Sequence, residues 1–384
     1  MNMEPVKRNI LLNPGPATTT DSVKLAQVVP DICPREAEFG AVMREVSDGL
    51  LRVVHAPSDT YEAVLFCGSG TLAMDVCVNS LVPTGKKLLV LDNGAYSSRA
   101  ADIARAYAMD VIDAKLPVDC PVHLDEAEKL LEADAAHDIA VVYTTHQETG
   151  TGILNPVREL AALVHAHGAL FIVDTTSTLA MRPIDIVRDG IDFCMASSQK
   201  GIQGVTGLAF IIGRKDIIEA SKDYPVRSYY CNLYQQYDYF RKNGQMHFTP
   251  PVQVLYAARQ ALKEYFAEGE AAKWQRHTET MTAIHDGLAA LGFREVIPRE
   301  SQAGLVAAVA YPDDPNWSFE RVHDTCYAQG FTIYPGKMQG KGTFRLCALG
   351  AITKNDIEAF FRVLRGVLDD LGVAVPVHYE IEAS

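Results

Sequence analysis

The stretch IDFCMASSQKGIQG (191–204) determines how the rest of the sequence is interpreted. Its apolar first part, 191–196, indicates a buried strand, and Lys200 follows the end of that strand among small polar residues. Most lysines lie on the protein surface, whereas this one directly follows a segment that is expected to be buried. The alternative is a solvated lysine at a strand end, so the surrounding sequence has to decide between the two.

Strands and helices alternate on both sides of this stretch. The helical segments are SSRAADIARAYAMD (97–110) and VRELAALVHAHG (157–168), and the strands are LLVLD (88–92), IAVVYTT (139–145), ALFIVD (169–174), IDFCMAS (191–197) and GLAFIIG (207–213). Such alternation predicts an α/β fold in which a mostly parallel sheet carries helices on both faces. Ligands of these sheets bind at the carboxyl ends of the strands, where Lys200 and Asp174 lie.

The pattern changes near residue 251. Helical sequence runs through 255–292 and returns in 319–330 and 355–372, with strands at LVAAVAY (305–311), FTIYP (331–335) and TFRLCAL (343–349). These segments predict a second, smaller α/β domain, as expected for 384 residues, more than one core usually holds. We therefore expect an N-terminal arm (1–20), a large domain (21–255) and a small C-terminal domain (256–384).

Composition limits the partners and the compartment. The net charge is −13 and no Lys/Arg-rich run occurs, which argues against nucleic acid or an anionic membrane as the main partner. The eight cysteines form no CxxC pair, so we expect neither a disulfide framework nor a metal site. The opening MNMEPVKRNILLNPGP lacks a long apolar segment, and we expect a cytoplasmic protein.

Two loops could bind a phosphorylated aromatic ligand. CGSGT (67–71) opens a helix, where free backbone N–H groups can hold an anion, although the same sequence also suits an ordinary turn. In NGAYSSR (93–99), Tyr96 could stack on a flat ring or could simply pack on a helix start.

Asp174 ends a buried apolar strand, where a carboxylate is costly unless a cation meets it. The alternative for Asp174 is a helix N-cap. HQETGTGILNP (146–156) adds the hydroxyls of Thr149 and Thr151 after another strand. A lysine, a buried carboxylate, an anion-binding loop and a stacking ring are together what pyridoxal phosphate requires, because the ring acts as an electron sink when its nitrogen stays protonated.

The chain resembles the fold-type I, class V pyridoxal-phosphate-dependent aminotransferases over nearly its whole length, from NPGPATTT (13–20) to the last helix. The motifs occur in the order of that family: LLNPGPATTT, GSGT, NGAY, ETGTGILNP, IVD, KGIQGVTG, FTPP, IYPGK and FRLCALG. Within the class it most resembles the 2-aminoethylphosphonate:pyruvate aminotransferases. The resemblance implies a seven-stranded-type sheet and a homodimer with shared active sites.

The resemblance also implies roles for single residues. Lys200 would carry the cofactor as a Schiff base, and Asp174 would pair with the pyridinium nitrogen. The other implied cofactor contacts are the phosphate ligands Ser69, Gly70, Thr71 and Gln199, the ring neighbours Tyr96 and Thr176, the hydroxyl partner Thr149, and Thr249, which would reach the cofactor phosphate of the neighbouring subunit. The implied substrate contacts are Arg345, Arg35 and Gly15.

The chain departs from the family in two places. Gly150 stands where many relatives have a second small hydroxyl residue. DICPREAEFG (31–40) replaces an acidic, tryptophan-containing segment of many phosphonate enzymes, so Arg35 becomes a candidate anion contact, with a surface ion pair to Glu36 or Glu38 as the alternative. Lys337 in IYPGK is a weaker candidate for the same role.

By resemblance, the reaction moves the amino group of 2-aminoethylphosphonate to pyruvate and gives phosphonoacetaldehyde and L-alanine. Lys200 would move the proton.

Alternatives that keep the cofactor are phosphonoalanine as donor, or alanine or serine with glyoxylate. A change of reaction, to a pyridoxal-phosphate lyase or a desulfurase, is another alternative. A desulfurase needs a cysteine on a mobile loop, whereas Cys326 and Cys347 lie in a predicted helix and strand. A binding module without activity is a further alternative, which the intact lysine and aspartate disfavour.

Overall fold

The computed structural model describes residues 8–338 and 342–380. Numbered along the chain, the strands are β1 (Ile10–Leu11), β2 (Tyr61–Gly68), β3 (Lys87–Asp92), β4 (Val111–Lys115), β5 (Ile139–Thr145), β6 (Gln147–Glu148), β7 (Ile153–Leu154), β8 (Leu170–Asp174), β9 (Phe193–Ser197), β10 (Gly207–Arg214), β11 (Val306–Ala310), β12 (Phe331–Thr332), β13 (Tyr334–Pro335) and β14 (Thr343–Cys347). The helices are α1 (Asp21–Leu25), α2 (Ala37–Val53), α3 (Gly70–Leu81), α4 (Ala95–Ala106), α5 (Leu124–Glu132), α6 (Val157–Ala166), α7 (Lys215–Ala220), α8 (Leu233–Asn243), α9 (Val252–Glu268), α10 (Glu270–Leu291), α11 (Phe319–Ala328) and α12 (Lys354–Leu371).

A seven-stranded sheet with the order β2-β10-β9-β8-β5-β3-β4 forms the large part of the molecule. Its neighbouring strands are parallel, except that β10 runs antiparallel to both β2 and β9. One core cluster joins the sheet to α2, α6 and α9, and another joins it to α3, α4 and α8. Burial on both faces explains the continuous apolar runs of its strands. The prediction of a mostly parallel sheet covered on both faces is confirmed.

The carboxyl ends of the central strands lie at one edge of this sheet. In the register, Thr145 of β5 pairs with Asp174 of β8, and Asp174 pairs with Met195 of β9, two residues before that strand ends. The polar residues that follow these strands are therefore close together. This edge is where a ligand of such a fold is expected.

A smaller α/β part follows, with an antiparallel sheet of order β11-β14-β13 packed against α10, α11 and α12. The N-terminal segment joins it, because β1 pairs in parallel with β12 and Leu12 is buried in the same core. Helix α9 runs through the expected boundary at 255/256. The limits of the three expected domains stay predictions.

Two predicted elements of this part are divided. The helical stretch 255–292 breaks between α9 and α10 at Gly269, whose φ of +82° lies in the left-handed region that glycine adopts easily. The predicted strand FTIYP splits into β12 and β13, because the first pairs with β1 and the second with β14. Periodicity along one segment does not reveal such a change of partner.

Candidate active site

A cavity of about 250 Å³ lies at the carboxyl edge of the large sheet. Most of the residues singled out from the sequence line it: Gly15, Ser69, Gly70, Thr71, Tyr96, Thr149, Asp174, Thr176, Gln199 and Lys200. Arg345, Arg35 and Thr249 do not belong to its lining. The sequence motifs between Gly15 and Lys200 therefore meet in one place.

Lys200 follows the end of β9 and borders the cavity. Its Nζ donates a hydrogen bond to the backbone carbonyl of Pro14. Gly15 leaves room for this side chain, because a Cβ at that position would lie 2.5 Å from the Lys200 Nζ. Burial is the main reason why the pKa of Lys200 falls from 10.5 to about 8; the charge of Asp174 opposes this fall, and the positive charges of Arg345 and Lys337 favour it. A larger share of the amine is therefore uncharged at neutral pH, as a nucleophile requires.

Asp174 ends β8 at the floor of the cavity. Its Oδ1 accepts the backbone N–H of Thr176 at 2.8 Å, and its Oδ2 accepts the hydroxyl of Tyr143 at 3.3 Å. Burial raises the pKa of this carboxyl group although the charge of Lys200 opposes the rise, and among the described residues no cationic side chain lies close enough to form an ion pair with it. A buried carboxylate that faces a cavity under these conditions suits a cationic ligand atom.

The first turn of α3 provides an anion site at the cavity. Ser69, Gly70 and Thr71 begin this helix, whose first N–H groups have no partner within the helix. The buried hydroxyl of Ser197 has no hydrogen-bond partner and lies 3.3 Å from the place that a Cβ on Gly70 would occupy. Arg99 donates to the Thr71 hydroxyl at 3.0 Å and adds a positive charge.

Tyr96 forms part of the cavity wall near the start of α4. The guanidinium carbon of Arg99 lies 5.0 Å from the centre of its ring, and Lys337 Nζ lies 5.3 Å from it. Both distances allow a cation–π contact. Tyr96 is therefore held among positive charges that also face any anion bound nearby.

Arg345 lies on β14, 2 % exposed, and bridges the two parts of the molecule. Its Nε and Nη2 donate to the carbonyl of Pro335 at 3.2 and 3.0 Å, and its Nη1 donates to the carbonyl of Thr149 at 3.2 Å. A guanidinium has five N–H groups, so two remain for an anion. Its assignment as a substrate contact stays a prediction.

Arg35 and Thr249 lie elsewhere. Arg35 is exposed and donates to the carbonyls of Met246 at 2.6 Å and His247 at 3.1 Å. Its partners are thus backbone carbonyl groups, which the sequence analysis did not predict. Thr249 is exposed outside the cavity of its own chain. Both assignments stay predictions.

Several lining residues were missed from the sequence: Gln147, Arg99, Ser197, Thr206 and Met74. The side-chain amide of Gln147 is buried without any partner for its oxygen or nitrogen. The alternation of side chains along a strand was an available signal, since Gln147 and Thr149 then point to the same side and Glu148 to the other.

Glu148 was also missed, although it is fully buried beside the cavity wall. Burial raises the pKa of this carboxyl group to about 7, while the backbone N–H groups of Gly150, Ser97 and Tyr96 act in the opposite direction. Glu148 lies next to a glycine-containing segment, and nothing in that local sequence indicates that its side chain is buried.

The donor set fits pyridoxal phosphate. The start of α3 with the free Ser197 hydroxyl suits its phosphate, and Asp174 without a cation suits its ring nitrogen. Lys200 offers an amine of lowered pKa, and Tyr96 offers a flat face.

Comparison with known proteins agrees with this site. Residues 24–316 match the family model described as Aminotransferase class-V. A protein named 2-aminoethylphosphonate–pyruvate transaminase 2 from Polaromonas sp. is 35 % identical over 96 % of this chain and 99 % of its own length. A protein named 2-aminoethylphosphonate–pyruvate transaminase from Lysinibacillus sphaericus is 34 % identical over 93 % and 97 % of the two chains.

Among solved structures, an alanine–glyoxylate aminotransferase from Nostoc sp. superimposes with a TM-score of 0.87 at 26 % identity, covering 96 % of this chain and 98 % of that one. The match extends over both the large sheet and the smaller α/β part. The family match and the near-complete relatives above 30 % identity agree with the cavity built from the residues. The chain belongs to the class-V aminotransferase family.

Proposed function

We propose that the protein is a pyridoxal-phosphate-dependent aminotransferase that moves the amino group of 2-aminoethylphosphonate to pyruvate and gives phosphonoacetaldehyde and L-alanine. The observation that carries the proposal is the cavity in which Lys200 and Asp174 lie with the start of α3. The names of the relatives from Polaromonas and Lysinibacillus support the choice of substrates.

Pyridoxal phosphate, when bound, supplies an electron sink for the carbon that carries the amino group. Lys200 Nζ would hold the cofactor covalently, and as a free amine it would move a proton to and from the substrate carbon. Asp174 would favour a positive charge at the ring nitrogen, because an anion in this buried place favours a cation opposite it. Ser69, Gly70 and Thr71 bind the phosphate through the helix start.

Recognition of the substrate anion falls to Arg99 and Lys337, which lie next to the Tyr96 ring, and to Arg345, which lies outside the cavity lining. Arg345 has two N–H groups left, and burial together with the charges of Arg345 and Arg99 lowers the pKa of Lys337. These cations meet in a protein whose net charge is −13. An arginine pairs with a phosphonate or a carboxylate through the same planar fork, so one site serves both substrates in turn.

Assembly and compartment belong to the same proposal. The exposed position of Thr249 supports a homodimer in which this residue serves the partner's site. The eight cysteines carry free thiols, which supports a reducing cytoplasm. Across residues 8–338 and 342–380, no helix has both the length and the apolar character needed to cross a membrane.

Absorbance of the purified, cofactor-loaded protein tests the proposal. We expect 2-aminoethylphosphonate alone, and L-alanine alone, to bleach the visible band of the cofactor, since each is the amino donor of one half-reaction. Phosphonoalanine and L-serine are run in parallel. Bleaching by phosphonoalanine but not by 2-aminoethylphosphonate would move the donor, and bleaching by alanine or serine only would move the enzyme to the glyoxylate-linked group. Absence of any bleaching would overturn the aminotransferase assignment.

A further inference from the structure

Helix α4 is capped by a residue from another element. Its N-cap, Gly94, has no side chain that could accept the N–H groups of the first turn. The carboxylate of Glu148, on β6, takes this role. Its Oε2 accepts from the backbone N–H of Tyr96 at 3.2 Å and of Ser97 at 3.4 Å. An anion at this end of a helix is also favoured by the helix dipole.

The same carboxylate binds the loop that follows β6. Its Oε1 accepts the backbone N–H of Gly150 at 3.0 Å. Glu148 is fully buried, so these bonds are made away from water and position both segments firmly. One side chain thus joins the start of α4 to the loop 149–152.

Gly94 provides the space for this carboxylate. A Cβ at position 94 would lie 2.5 Å from Glu148 Cγ and 2.6 Å from its Cδ. The φ of Gly94 is 165°, which is extended backbone that any residue adopts. Space for Glu148, not the backbone conformation, therefore requires glycine at this position.

The two segments that Glu148 joins carry two cavity residues, Tyr96 and Thr149. Thr149 is also bound through its carbonyl to Arg345 Nη1 at 3.2 Å. We propose that Glu148 is a positioning residue, which places Tyr96 and Thr149 relative to each other for the cofactor ring; this rests on the function proposed above. It acts through backbone amides and does not touch the reacting atoms.

The test compares Glu148→Gln with a matched variant, Glu62→Gln. Glu62 is a buried glutamate of β2 that accepts from Arg44 and Ser47, both at 3.1 Å, and lies outside the cavity lining. The readouts are the dissociation constant for pyridoxal phosphate, the position of the visible band, kcat, KM and the thermal midpoint. We expect Glu148→Gln to weaken cofactor binding about tenfold or more and to shift the visible band. The amide nitrogen of glutamine would place its own N–H groups opposite backbone N–H groups, so hydrogen bonds that the carboxylate accepts would be lost. Glu62→Gln should change the thermal midpoint alone.

Gly94→Ala is the second variant, since it displaces the carboxylate without removing it. If both changes act through the Glu148 carboxylate, the double variant should bind the cofactor about as weakly as the worse single variant. Wild-type cofactor affinity and band position in Glu148→Gln, or fully additive losses in the double variant, would overturn the inference. Wild-type protein that takes up no pyridoxal phosphate would instead overturn the proposed function.

Discussion

Two lysines of this protein meet at the loop after β9 but serve different purposes: the half-buried Lys200 belongs to the loop, and the buried Lys273 donates to it. Burial lowers the pKa of Lys200 to about 8 and that of Lys273 to about 7. Lys200 borders a cavity that Asp174 also lines. Lys273, on α10, donates to the carbonyl of Gly201 at 2.8 Å, and its Nζ lies 5.1 Å from the ring centre of Tyr265.

The comparison shows what a lowered pKa means. It reports desolvation, which both lysines share, and Lys273 has the larger shift. Function is indicated by the surroundings of each amine. Lys200 shares a cavity with a carboxylate and with free helix N–H groups, whereas Lys273 meets one carbonyl and an aromatic ring. Since Gly201 directly follows Lys200, Lys273 supports the loop that carries the reactive residue.

The largest expected effect separates the two lysines directly. Lys200→Ala should lower kcat by at least about 10⁴-fold, because it removes both the covalent attachment and the proton transfer. Lys273→Met should lower kcat far less, because it removes only one hydrogen bond to the loop that carries Lys200. Borohydride reduction of the loaded wild-type protein, followed by peptide mass spectrometry, should locate the cofactor on Lys200.

A thermal midpoint near that of the wild type is the control that Lys200→Ala still folds. Cofactor found on Lys273, or activity retained without Lys200, would reverse the roles given to the two residues.

The next effect concerns the carboxylate that Lys200 has nearby. Asp174→Asn should reduce kcat by about 10²–10³-fold, the size typical for removal of one preorganised electrostatic group. The matched variant is Asp192→Asn, since Asp192 is also buried at the large sheet but binds His165 at 2.8 Å and Arg214 at 3.1 Å, away from the cavity. We expect it to lower the thermal midpoint without a comparable loss of kcat. Equal losses of kcat in both variants would show that Asp174 acts through stability alone.

Residues at strand ends could be predicted from the sequence. Asp174 and Lys200 follow apolar runs that parallel strands must bring to one edge, and the motif order added their roles. The antiparallel direction of β10 could not be predicted, because an apolar run fits either direction when both faces are buried.

The contacts of Glu148 and Arg35 could not be predicted either. Each depends on how a loop folds against a distant segment, Glu148 with Tyr96 and Arg35 with Met246. Loop conformation is decided by hydrogen bonds and available space, such as the space left by Gly94, which no local periodicity records.

The smallest effect is a pH dependence of stability that Lys273 alone should add. Its pKa is about 7 in the folded protein against an ordinary 10.5, so the unfolded chain binds more protons between these values. The free energy of unfolding should therefore rise with pH across that window, by about 1 kcal/mol for each pH unit from this residue. Urea unfolding of the cofactor-loaded wild type and of Lys273→Met at pH 7, 8 and 9 gives the slope of the unfolding free energy against pH for each protein. Lys200 is present in both, so its contribution cancels in the difference between the two slopes. The variant should show the flatter dependence; equal slopes would mean that Lys273 stays charged in the fold and that the Gly201 carbonyl and the Tyr265 ring are enough to keep it so.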